Sequence, residues 1–139
     1  MVSTGKGGYT MSDFDQLAVE AADARNKLGE RAYIQAALNL DAWYFIGVAP
    51  ADAPDEAEPM LVGGTGGHRI LVFTDEGRAE GYRDHLIAKG KDCSVLHMPV
   101  GDAVGYCNML REHNVGAAHF NDGGSSATIP LARLVEMAT

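Results

Sequence analysis

Apolar residues recur at spacings of four, three and four through Leu17, Ala21, Ala24 and Leu28, one stripe of a helix. Ser12 and Asp15 ahead of it have the spacing of a capping box. Gly29 interrupts the stripe, and Tyr33, Ala37 and Leu40 resume it. The pattern predicts a helix, a kink or short turn, and a second helix ending near Leu40. The period then changes. WYFIGV (43–48) is aromatic and β-branched and predicts a strand, closed by Pro50 and Pro54. Met60–Val62 predicts a second short strand, and GGTGGH (63–68) a hairpin loop into a third. That third strand, Ile70–Phe73, is continuously apolar, as expected of a strand covered on both faces. It breaks at Thr74-Asp75, where either side chain can cap the helix carrying Ala79, Tyr82 and Leu86.

Gly90 suits the left-handed residue that closes this helix. In the strand Cys93–Met98, Cys93, Val95 and His97 face one way and Ser94, Leu96 and Met98 the other. Pro99 ends it. A helix over Gly101–His113 buries Ala103, Cys107 and Leu110, and a strand follows at Gly116–Asn121. Asp122-Gly123-Gly124 turns the chain into Ser126–Ile129, and Pro130 suits the first turn of a last helix with Leu131, Leu134 and Val135. Strand-helix-strand-helix-strand in the middle predicts a βαβαβ unit with right-handed crossovers and a largely parallel centre. The aromatic strand and the hairpin strand are expected at antiparallel edges. The fold class is α/β, a mixed sheet of about five or six strands with helices packed on it and an N-terminal helical segment.

A chain of 139 residues suits one domain. Residues 1–11, with Gly5, Gly7 and Gly8 around Lys6, are expected to be a flexible leader, either an upstream start or a cloning remnant. Residues 12–139 then form a single α/β domain, 12–40 as a helical extension and 41–139 as the core. A net charge of −8 disfavours nucleic acid and an anionic membrane surface as partners. The acidic cluster Asp52, Asp55, Glu56 and Glu58 reads as a solvated loop. Cys93 and Cys107 form no CxxC and no disulfide framework, which predicts a reducing cytoplasm. No apolar run approaches the ~20 residues of a spanning helix, and no signal-peptide h-region opens the chain.

Motifs exclude more chemistry than they support. The Gly-Lys-Gly at 5–7 lacks the rest of a phosphate loop, and the 63–68 glycines lie between strands, where a dinucleotide fingerprint cannot work. There is no G-x-S-x-G elbow. The histidines at 68, 85, 97, 113 and 119 never take a metal-face spacing, so no metal and no cofactor is expected. Ligands of open parallel sheets collect at the carboxyl ends of strands. Those ends give the candidate ligand-binding set Thr74, Asp75, His97, His119 and Asn121, with no catalytic residue assigned. Each also has an ordinary structural role, as a cap, a strand-edge histidine or a turn residue.

VFTDEGRA (72–79), with WYFIGV before it and AHFNDG (118–123) after it, resembles the SseB N-terminal-domain family, named for enhanced serine sensitivity or type III secretion. The resemblance covers roughly residues 30 to 137. The family often has Pro after the late Asn, where this chain has Asp122. The resemblance implies a small α/β domain without an assigned catalytic mechanism, a non-enzymatic protein-interaction or ligand-sensing module. The alternative is a small metabolite-binding protein or enzyme with its site at the carboxyl ends of the central strands. The first helix precedes the matching part, and its stripe needs cover. A second copy, giving a homodimer, or the chain's own sheet would supply that cover.

Overall fold

Alternation along one aromatic strand decides which face of the sheet each helix covers. The computed structural model describes residues 11–23, 27–49, 52–53, 55–64, 67–123 and 125–139. Its elements in chain order begin with α1 (Met11–Ala21), α2 (Lys27–Leu38), β1 (Ala42–Val48), β2 (Glu58–Pro59), β3 (Leu61–Gly64) and β4 (Gly67–Val72). There follow α3 (Glu76–Ala88), β5 (Ser94–Pro99), α4 (Val100–Leu110), β6 (Val115–Phe120), β7 (Ala127–Pro130) and α5 (Leu131–Ala138). Trp43 and Phe45 of β1, with Ile70 and Val72 of β4, meet α1, α2, α4 and α5. Tyr44, Ile46, Leu71 and Phe73 point the other way and meet α3.

The mixed α/β class holds. Strands form a three-stranded sheet, β2-β1-β5, and a four-stranded sheet, β3-β4-β6-β7. Tyr44 and Phe73 join them, exchanging N–H···O bonds of 3.0 and 2.8 Å in an antiparallel bridge. Residues 58–64 are a wedge between β1 and β4. β2 pairs with β1 and β3 with β4, while Met60 donates its N–H to Ile46 at 2.8 Å and accepts the Leu71 N–H at 3.3 Å.

The parallel centre is narrower than βαβαβ implies. Among the described residues only β4 and β6 pair in parallel; β5 pairs antiparallel with β1 instead. The aromatic strand is therefore central, not an edge. Its composition carried that signal, because Trp43, Phe45 and Ile46 are all buried and together occupy both faces. A strand-helix-strand order dictates the direction and hand of a crossover but not which strand slips between. The hairpin strand β7 is antiparallel to β6 and ends its sheet, as expected.

The N-terminal helices also differ from expectation. α1 begins at Met11, so Ser12 lies within it, and Gly29 is inside α2. The break falls between the two helices, partly on residues 24–26, outside the described set along with Ala24. Phe14 and Ala18 of α1 are buried, with Leu17 and Ala21 packed beside them, whereas Leu28 is 74% exposed. Of the stripe for which either a second copy or the chain's own sheet would supply cover, Leu17 and Ala21 pack on the chain's own core. Phe14 and Tyr33 meet edge to face at 5.5 Å, and Tyr33, Ile34 and Ala37 are fully buried, so residues 12–40 contribute to the core itself. Residues 1–10, Pro50 and Pro54 lie outside the described residues.

Candidate functional site: the strand ends and the cleft beside α3

The carboxyl ends of β4 and β6 come together, as expected of neighbouring parallel strands. Asn121 follows β6 in a left-handed conformation, φ 59°, which asparagine tolerates better than most residues. Its N–H donates to the Val72 carbonyl at 2.8 Å. Its side-chain oxygen accepts the Thr74 N–H at 3.0 Å, and its amide donates to the Thr74 hydroxyl at 3.0 Å. The same amide reaches toward the Tyr33 hydroxyl at 3.5 Å. Burial holds that phenol's pKa well above its ordinary value, so it stays protonated in this network. Thr74 and Asn121 are both buried. They lock two strand ends together and have little left to offer a ligand.

Asp75 is the N-cap of α3, accepting the Arg78 N–H at 2.8 Å. The Arg78 guanidinium, itself nearly buried, pairs with Asp75 and with Asp15 of α1, each at 3.0 Å. It fastens α1 to the start of α3. Three of the five candidates therefore build the strand ends.

His119 joins the hairpin to the turn after β6. Its Nε2 lies 3.1 Å from Asp122 and its Nδ1 2.7 Å from the Thr128 hydroxyl on β7. All three groups are satisfied when Nε2–H donates to Asp122 and Nδ1 accepts from Thr128. Asp122 also faces Tyr82 of α3; burial first, then hydrogen bonding to that carboxylate and its charge, push the phenol's pKa up to about 12. Thr128, His119 and Asp122 thus form a hydrogen-bonded chain from β7 to the turn that faces Tyr82. His97 takes no part. It sits on β5 against the ring of Tyr44, centroids 5.8 Å apart, with β1 between it and β4.

Between α3 and the turn after β6 lies a cleft of about 710 Å³, within the range of small-molecule sites. Asn121, Asp122 and Gly123 line one side, and Gly77, Arg78, Gly81, Tyr82, His85 and Lys89 the other. A Cβ on Gly81 would meet no atom within 4 Å, so this side of α3 is open. Tyr82, His85 and Lys89 are not among the site residues that the sequence suggests. One signal for them existed. Glycine in a helix interior costs roughly 0.5–1 kcal/mol, so Gly81 marks a face kept bare.

Among the described residues no group of three or more His, Cys, Asp or Glu could hold a metal ion, and no helix is long and apolar enough to cross a membrane. Neither the protein-family models nor the curated proteins compared with the chain give a match.

Proposed function

We propose that this protein is a non-enzymatic ligand-sensing domain whose ligand occupies the cleft between α3 and the β6–β7 turn. The observation that carries the reading is the cleft itself, a space of about 710 Å³ with an aromatic ring, a carboxylate, an exposed lysine and an exposed imidazole on its walls. Thr74 and Asn121 spend their hydrogen bonds on each other, which favours binding over chemistry at the strand ends. The likeness of VFTDEGRA and AHFNDG to the SseB N-terminal-domain family agrees with a sensing or interaction role, and two unbridged thiols agree with a reducing cytoplasm. A thermal-shift screen with amino acids, short peptides and nucleotides, followed by amide-shift mapping of each hit, tests the reading. A stabilising hit that maps to Gly77–Lys89 and Asp122 supports it. Hits that map only elsewhere, or none at all, count against it.

The rival reading is a small enzyme at the same strand ends. It draws on the Thr128–His119–Asp122 relay, in which a carboxylate holds an imidazole beside a hydroxyl. Turnover of p-nitrophenyl acetate that His119→Ala abolishes would favour this rival.

A further inference from the structure

We propose that the cleft selects a short peptide with free ends, its ammonium on Asp122 and its carboxylate on Lys89 and His85; this rests on the cleft being the ligand site. The charges in the cleft are sorted by position. Arg78 is answered by two carboxylates, Asp15 and Asp75. Asp122 is held by His119 at 3.1 Å and faces the Tyr82 phenol. A carboxylate has about four lone-pair sites, so Asp122 keeps room for an incoming donor. The Tyr82 ring beside it presents an aromatic surface to a cation. Further along α3, His85 and Lys89 are exposed and have no ion-pair partner among the described residues. One end of the cleft therefore favours a cation and the other an anion.

The separation sets the ligand's length. Seven residues of helix between Tyr82 and Lys89 rise about 10 Å. A single amino acid carries its ammonium and its carboxylate on one α-carbon and cannot span this. An extended chain advances about 3.3–3.6 Å per residue, so three residues reach from one end to the other. The bare surface at Gly81 lets a peptide backbone lie against the helix, since Gly81 projects nothing and has open space over it.

Titration of the full-length, isotope-labelled protein with triglycine, its N-acetyl form, its C-terminal amide and an ω-amino fatty acid of equal length tests the proposal. Free triglycine should shift the amides of Gly77–Lys89 and of Asp122 and Gly123, and blocking either end should weaken binding about tenfold or more, as loss of a charged contact does. Asp122→Asn should erase the preference for a free amino end, and Lys89→Met, at an exposed position, the preference for a free carboxylate. Equal binding of blocked and free peptides, or of the ω-amino acid and the peptide, overturns the assignment. So does a cleft that binds other compounds but ignores triglycine, an outcome that leaves the sensing role standing. A cleft that binds nothing removes both.

Discussion

Asn121 and Thr74, 47 positions apart, satisfy one another: the amide of one accepts and donates to the backbone and hydroxyl of the other inside the protein. Asn121→Ala strips the buried Thr74 N–H of its acceptor and leaves alanine at φ 59°. Urea unfolding should show a loss of about 1–3 kcal/mol from the unpaired group. The left-handed backbone adds ~1 kcal/mol, which Asn121→Gly should recover. A loss under ~0.5 kcal/mol for Asn121→Ala would place it among surface changes and refute the lock.

Phe73 ends the buried strand, joins the two sheets through its backbone and packs on Tyr82 at 5.3 Å. Phe73→Ala should cost about 3–5 kcal/mol, measured by the same melts. A cost below ~1 kcal/mol would contradict its place in the core.

Asp75 and Asp15 share Arg78 but should not matter equally. Asp75→Ala removes a helix cap as well as an ion pair, for a loss of about 0.5–2 kcal/mol. Asp15 is nearly half exposed, and Asp15→Ala should cost less than ~1 kcal/mol. Its effect should instead appear as faster amide exchange in α1. Equal losses would show that the cap at Asp75 contributes nothing.

Burial pushes the Cys107 thiol from 9.0 up to about 12. Its folded pKa is raised, so the stability it carries is complete below pH 9 and is lost as pH climbs toward 12. Within that window each pH unit should remove up to ~1.4 kcal/mol. Cys107→Ala, at the same buried position, should flatten this alkaline limb relative to the unchanged protein. An identical pH dependence in both would contradict the assignment.

Much of the fold was legible because local patterning and burial agree. Ile70–Phe73 is buried throughout, Asp75 caps α3, and Gly90 takes φ 88° just past the helix end. The placement of β5 was hidden, because pairing depends on an antiparallel strand contributed from earlier in the chain. At the site, Thr74 and Asn121 were correctly brought together from topology, yet their hydrogen bonds are structural. The cleft was hidden because Tyr82 and Asp122 meet only when α3 lies beside the hairpin turn. Periodicity places Tyr82 on a packing stripe and says nothing of its hydroxyl.

The most direct measurement uses Gly81, where a new side chain meets open space in the fold but projects into the cleft. Gly81→Leu and the unchanged protein are compared by thermal shift and amide mapping against one set of amino acids, short peptides and nucleotides. The variant should be more stable by about 1 kcal/mol, since leucine favours a helix over glycine, while the ligand-induced shifts seen with the unchanged protein vanish. Ligands that stabilise both proteins equally would show that the cleft beside α3 is not the binding site.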